Sequence, residues 1–265
     1  MQSDLTKRAD GRRLRGKVTL VTGSSRGIGR AIAIRYAREG ADVVINYHRD
    51  AEGAHLTRGE VEAVGGRACI IQADVSRVSA VREMMAKAIE HFGKLDVLVN
   101  NAGVMHGAPF WEVTEEDFDR VLSVDLKGPF FATQAFVQHL LATQRPGKVI
   151  NISSVHEDLP FPNFASYCAA KGGLRTLMRT LAIELGRFGI TVNAIAPGAI
   201  QTALNTQPVD DFAQRPALLE QIPLGRLGQP EDVAALAAFL ASADADYITG
   251  ASYLVDGGLT WYYRE

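Results

Sequence analysis

Cysteine is scarce: Cys69 and Cys168 are the only two in 265 residues, and they lie far apart in the chain. That scarcity speaks against a disulfide framework and a thiolate metal cluster, and it favours a reducing cytoplasm. No stretch approaches the ~20 consecutive apolar residues of a membrane-spanning helix. Charge of one sign is lacking too; with a formal net charge of -2, no basic field draws the chain to nucleic acid. Residues 1–15 include Lys7, Arg8, Arg12, Arg13 and Arg15 but no apolar run of the kind a secretion signal carries. They read as a mobile basic arm, with no nucleic-acid or membrane role assigned. No linker, charge block or repeat marks a second domain, which leaves 16–265 as one unit, within the size an α/β sheet reaches without splitting.

What is present is alternation. Lys17–Val21, Val43–Asn46, Ala68–Gln72, Val97–Asn100, Val149–Ser153, Thr191–Ile195 and Ser252–Val255 read as strands. Most are unbroken apolar runs, the pattern of parallel strands buried on both faces. Between them, helices are predicted over 27–39, 52–64, 79–92, 116–143, 165–187 and 230–241, with Pro230 suited to open the last. The alternation predicts an α/β, single-domain doubly wound Rossmann fold: a seven-stranded, mainly parallel sheet with helices on both faces. From about Ala199 to Leu227 the pattern lapses, with Pro208, Pro216 and Pro223. Such a stretch, near 199–227, is either a lid over a site or a variable surface loop.

Two groups of residues point to chemistry. Thr22-Gly23-Ser24-Ser25-Arg26-Gly27-Ile28-Gly29 joins the first strand to the first helix. Glycines there let the backbone turn tightly and approach a pyrophosphate, and the helix N-terminus offers unpaired N–H groups and partial positive charge. Far downstream stand Ser154, Tyr167 and Lys171. Tyr167 and Lys171, four apart on one helix, share a face; Ser166 reads as the cap of that helix. A phenol titrating at about 10 is a poor base at neutral pH. A nearby ammonium favours phenolate and pulls that value down. The bland reading of the pair is an aromatic and a lysine on an amphipathic helix.

With Asn100-Asn101-Ala102-Gly103 after the fourth strand and Pro197-Gly198 after the sixth, the Gly-x-x-x-Gly-x-Gly spacing and the Ser154, Tyr167, Lys171 set resemble the short-chain dehydrogenase/reductase family. The resemblance runs from about Gly16 to Gly258. It implies a nicotinamide-dependent oxidoreductase that needs no metal. Tyr167 would take or give the hydroxyl proton, Ser154 would hydrogen-bond the reacting oxygen, and Lys171 would also hold the nicotinamide ribose. Hydride would pass directly between substrate carbon and ring, the protein supplying alignment and field.

The resemblance also implies a set of cofactor contacts. Gly23, Ser25, Arg26, Gly27, Ile28 and Gly29 would face the pyrophosphate, Asp74 and Val75 the adenine, and Asn101, Ala102 and Gly103 the body of the cofactor. Pro197, Gly198, Ile200 and Thr202 would lie toward the carboxamide end. Read without the family, Asp74 is a helix cap. Asp125 stands where many members place an Asn that helps hold a water on the proton path to the lysine. An ionised Asp is acceptor-only and would hold Lys171 more firmly cationic; Asp125 is taken as a fourth catalytic member. Cys168, beside Tyr167, reads as a packing residue.

Nucleotide choice is expected where the second strand ends, since an acid there binds the free ribose hydroxyl of NAD. Tyr47 occupies that place, no acid follows until Asp50, and Arg26 and Arg49 could pair with a 2′-phosphate. The expectation is NADP(H) preference or dual use with NAD(H); the alternative leaves both arginines as solvated surface residues.

Three readings of the function stand. Ser153-Ser154-Val155-His156-Glu157, Asn205, Ile222-Pro223-Leu224-Gly225 and Asp256-Gly257-Gly258 look like the bacterial glucose 1-dehydrogenase branch of the family, with His156 and Asn205 as sugar-binding residues. Against an aldose, Met105 replaces an acid, and Trp111, Phe161, Pro162 and Phe164 make the mouth more apolar. The second reading is a reductase of another carbonyl class, such as 3-oxoacyl carriers reached through Arg175 and Arg179, or secondary ketones. The third is a non-catalytic nucleotide-binding protein. The resemblance further implies a homotetramer built through the long helices and the segment after Pro230.

Overall fold

The unbroken apolar runs build the sheet. The computed structural model describes residues 12–202 and 216–262. Val18–Val21 (β1), Asp42–Tyr47 (β2), Ala68–Gln72 (β3), Val97–Asn100 (β4), Gly147–Ile152 (β5), Ile190–Pro197 (β6) and Ser252–Val255 (β7) pair in the order β3-β2-β1-β4-β5-β6-β7. Every pair is parallel, so the sheet is wholly rather than mainly parallel. All residues of β1, β4 and β5 are buried, as strands covered on both faces must be.

The helices are Gly27–Arg38 (α1), Ala51–Ala63 (α2), Val78–Phe92 (α3), Glu115–Leu122 (α4), Gly128–Thr143 (α5), Ala165–Leu185 (α6), Pro216–Glu220 (α7) and Pro230–Ala241 (α8). Residues of α1, α2 and α8 bury their apolar stripes on one face, those of α3, α5 and α6 on the other. The fully buried Tyr36 phenol is satisfied by donating to Ala237 O at 3.1 Å, which ties α1 to α8. Pro230 opens α8 beside a capping box of Gln229 and Asp232. The chain leaves β1 toward β2 on one side, and β4 lies on the other. That reversal opens a crevice at the C-terminal ends of β1 and β4, where sheets of this kind take ligands.

Two expectations are corrected. The helix read over 116–143 is α4, a π-helical turn over Ser123–Lys127, and α5. The wider turn accommodates an extra residue and leaves Asp125 buried. The basic arm read over 1–15 ends too late, because 12–15 belong to the fold. Leu14 is fully buried, its amide donates to Glu39 O at 2.9 Å, and Arg13 grips the Glu39 carboxylate with two bonds of 2.7 Å. Within 199–227, Ile200 bridges in parallel to Gly228 and Ile222 is buried, while Pro208 lies outside the described residues. Among the described residues no helix is long and apolar enough to cross a membrane.

Candidate active site

The glycine turn is braced from three sides. Gly23 has a φ of 62°, and a Cβ there would stand 2.9 Å from Ala102 Cα, so only glycine lets the turn and the β4 loop meet. Asn101 joins the two by donating from Nδ2 to Thr22 O and Gly23 O at 2.8 and 3.0 Å. From β2, buried Asn46 accepts the Gly23 amide at 3.0 Å. From α2, Thr57 donates to Ser24 O at 3.0 Å, and from α1, Arg30 Nε donates to Ser25 O at 3.1 Å and to Thr57 at 3.0 Å. With its carbonyls so engaged, the turn leads into an α1 N-terminus that has no side-chain cap and no acid in its first turn. Those free N–H groups suit an anion such as a pyrophosphate.

Other expected cofactor positions gather around this crevice. Thr202 lies across from Gly27, whose Cβ would stand 3.5 Å from its methyl. Gly198 follows β6, and a Cβ on it would meet Asp256 Cβ at 2.7 Å. Val75 and Ile200 are buried. Asp74 is not the cap of α3, whose N-cap is Arg77. Its carboxylate instead accepts from Ser76 N and Oγ at 3.0 and 2.7 Å. Burial raises its pKa, but those bonds and the nearby His48 and Arg77 charges more than reverse it. Tyr47, the last residue of β2, packs on the core; Arg26 and Arg49 are exposed, and Asp50 spends its carboxylate capping α2 at Gly53 N, 2.9 Å away.

Ser154, two residues beyond β5, caps the 3₁₀ turn Val155–Glu157 in extended backbone, with φ -165°. Its Oγ accepts the His156 amide at 3.2 Å, which leaves its O–H to donate elsewhere. Tyr167 lies in the first turn of α6, whose N-cap is Phe164; Ser166, expected as the cap, is a buried residue inside the helix. Lys171, one turn on, is buried, with Nζ 5.4 Å from the Tyr167 ring centre and donating to Ile152 O at 3.2 Å. The π-helical turn brings Asp125 Oδ2 to 3.0 Å from Nζ, the two side chains being 0% and 5% exposed. Asp125 Oδ1 accepts the Val104 amide at 2.8 Å. Gly103 makes room, since a Cβ there would stand 2.9 Å from Oδ2.

The electrostatics differ from the expectation at Tyr167. Burial pushes its phenol above the ordinary value. The Lys171 ammonium and a Ser154 hydrogen bond oppose this, while the Asp125 carboxylate reinforces it. Burial alone would drive Lys171 toward its neutral form; Asp125, with Tyr167 and Glu157, holds it cationic instead. Burial likewise raises Asp125 against the pull of Lys171 and the Val104 amide.

The substrate side carries a stack of rings. His156 lies 4.1 Å from Phe161 at 4°, and Phe161 lies 4.2 Å from Phe164 at 8°. His156 meets the Tyr167 ring edge-on at 6.4 Å. His156 Nδ1 is 3.3 Å from Leu159 O; a carbonyl only accepts, so the proton sits on Nδ1 and Nε2 is left as an acceptor. Burial holds this imidazole below its ordinary pKa. Met105 is partly buried, Trp111 is 82% exposed in a short 3₁₀ turn, and Asn205 lies outside the described residues. The sequence assigns no role to Asn46 or Asn151, and Asn100 enters only as part of the Asn100-Asn101-Ala102-Gly103 motif; the Asn100 amide donates to Asn151 at 2.9 Å and Thr133 at 3.1 Å behind the site. Their signal was a polar residue inside an apolar strand.

Comparison with known proteins agrees with this geometry. The family model described as enoyl-(acyl carrier protein) reductase matches residues 23–260. The chain is 46% identical over 249 residues to 3beta-hydroxysteroid dehydrogenase 1 of Eggerthella lenta, covering 94% of this chain and 95% of that protein. It is 43% identical over 251 residues to glucose 1-dehydrogenase 2 of Bacillus subtilis, covering 94% and 96%. The solved short-chain dehydrogenase/reductase of Serratia marcescens superposes with a TM-score of 0.87 at 38% identity, covering 94% and 99%. The chain belongs to the short-chain dehydrogenase/reductase family, as an NAD(P)-dependent oxidoreductase acting on CH–OH groups.

Proposed function

We propose that this enzyme interconverts a secondary alcohol and its ketone on a flat, apolar ring skeleton, using NADP(H) in preference to NAD(H). The observation that carries the substrate class is the His156–Phe161–Phe164 stack set against Tyr167. A flat apolar face packs on such rings, whereas a sugar needs several fixed donors and acceptors, each costing about 1–3 kcal/mol if left unpaired. The 46% identity to a protein named as a 3beta-hydroxysteroid dehydrogenase supports the same class.

In this reading Tyr167 donates the proton to the carbonyl oxygen during reduction and accepts it during oxidation. The Ser154 O–H, whose Oγ is already engaged by the His156 amide, holds the reacting oxygen. Lys171 supplies positive charge beside the phenol, and Asp125 anchors Lys171. The bound nicotinamide supplies the hydride acceptor or donor. The uncapped α1 N-terminus would hold the pyrophosphate, and exposed Arg26 and Arg49 would pair with a 2′-phosphate, with Asp50 withdrawn as a helix cap.

The aldose reading takes second place; it is favoured by His156 Nε2, open as an acceptor, and by the 43% identity to glucose 1-dehydrogenase 2. The carrier-protein reading loses Arg175, whose guanidinium is taken up by Asp158 and Glu157. Exposed Phe130 and Leu141 on α5 and Ile183 on α6 support a homotetramer, which sedimentation would test. Following reduced-nicotinamide absorbance with NADP+ and NAD+ against hydroxysteroids, smaller cyclic alcohols and aldoses tests the substrate class. Saturable turnover of the cyclic alcohols is expected, and turnover of aldoses alone would refute it.

A further inference from the structure

We propose that Asp125 is a positioning residue that sets the pH at which Tyr167 changes from proton donor to proton acceptor, by balancing the charge of Lys171. The inference rests on the reading of Tyr167 as the proton-transferring group. Its basis is the geometry of a wedged carboxylate. Asp125 is held at Oδ1 by the Val104 amide, at 2.8 Å, and at Oδ2 by Lys171 Nζ, at 3.0 Å. Gly103 leaves just enough room for Oδ2, since a Cβ there would stand 2.9 Å away. The carboxylate is 0% exposed, so neither water nor salt screens it from the ammonium.

The charges around Tyr167 come from three elements. α6 supplies Lys171 and, beside the phenol, Cys168; the π-helical turn supplies Asp125. The segment after β5 supplies Ser154, His156 and Glu157. His156 is kept neutral by burial, edge-on to the phenol. Glu157 acts on Lys171 from farther off, is 3% exposed, and is met by Arg175 Nε at 3.5 Å and by the Ser252 hydroxyl at 2.5 Å. The nearest charges are therefore one ammonium and one carboxylate. While Lys171 stays cationic, held by Tyr167 and Glu157 as well as by Asp125, its charge draws the phenol toward phenolate, and the carboxylate behind it cancels part of that pull. Burial lifts the phenol most, Lys171 pulls it down and Asp125 adds to the lift, so it stays above its ordinary value despite a lysine one turn away.

Asp125→Asn tests this, since Asn keeps an acceptor for the Val104 amide and removes the charge, while turning an amide NH2 toward Lys171 in place of Oδ2. Phenolate absorbance is titrated in the cofactor-free protein, with Tyr167→Phe subtracted to isolate Tyr167 among the seven tyrosines. Oxidation and reduction rates are then profiled against pH. The phenolate transition, the rise of oxidation and the fall of reduction are all expected at lower pH in Asp125→Asn than in the parent. An unmoved or more alkaline transition overturns the proposal. Glu157→Gln is expected to shift the transition the same way but less; an equal or larger shift removes Asp125 as the residue that sets it. Should Asp125→Asn not fold, Asp125→Ser is titrated in the same way, and an unmoved or more alkaline transition there overturns the charge balance. Turnover retained by Tyr167→Phe would instead defeat the underlying reading of Tyr167. An inactive Tyr167→Phe with an unmoved Asp125→Asn defeats this inference alone.

Discussion

Asn46 holds the glycine turn from behind: its Oδ1 accepts the Gly23 amide at 3.0 Å, while its Nδ2 donates to Ile71 O at 3.3 Å and Ala73 O at 3.2 Å. One buried amide thus links the ends of three strands, β1, β2 and β3, at the mouth of the crevice. Asn46→Ala strands a donor and two acceptors where water is scarce. A loss of about 2–4 kcal/mol in urea unfolding is expected, with weaker nucleotide binding by fluorescence titration.

The Arg13–Glu39–Arg35 cluster gives stability a pH dependence. Burial lifts the Glu39 carboxyl, but bonds and charge from both arginines more than reverse it, so its pKa in the fold lies below the ordinary glutamate value. A depressed acid contributes stability above its unfolded-state pKa and loses that contribution as pH falls through the folded-state value. Urea midpoints measured from neutral to acid pH should show Glu39→Gln weaker than the parent at neutrality, with the gap closing on the acid side. A gap that widens toward acid would contradict this.

The ring stack predicts a selective defect. Phe161→Ala removes the middle ring and the support of His156. KM for a cyclic apolar alcohol should rise roughly tenfold, or about 1.4 kcal/mol, while turnover of a small acyclic alcohol changes little. A uniform loss on both substrates would mean the stack only holds the loop together.

Cofactor preference is read from kcat/KM with the two nucleotides. The parent should favour NADP+, and Arg49→Ala should cut that preference about tenfold with NAD+ little affected, as loss of a charge-assisted contact requires. A parent that prefers NAD+ removes the role given to Arg26 and Arg49.

Much of this fold is legible in the sequence. β3, β4 and β7 begin and end where the apolar runs do; β4 is buried throughout, as a central parallel strand must be, while β3 and β7 lie at the sheet's edges and are only partly buried. The break between α4 and α5 was not legible. Ser123-Val124-Asp125-Leu126-Lys127 carries no proline or glycine, and the inward turn of Asp125 depends on Val104, Gly103 and Lys171, distant in sequence. For the same reason the spacing of Tyr167 and Lys171 showed the ammonium that lowers the phenol's pKa but not the burial and the carboxylate that raise it. Phe161 and Phe164 were visible as an apolar mouth, but their stacking was not. It passes through Asn163 at φ 69°, whose carbonyl accepts the Ala108 amide at 2.9 Å.

Tyr167→Phe keeps the ring and removes only the hydroxyl, so it tests the central claim most directly. Its kcat and its nucleotide affinity should be measured side by side with the parent, using whichever cyclic alcohol the parent turns over. A loss of about 10²–10⁴-fold in kcat with unchanged nucleotide affinity is predicted for a group that transfers the proton. Turnover close to the parent's would contradict the assignment of Tyr167 and the mechanism built on it.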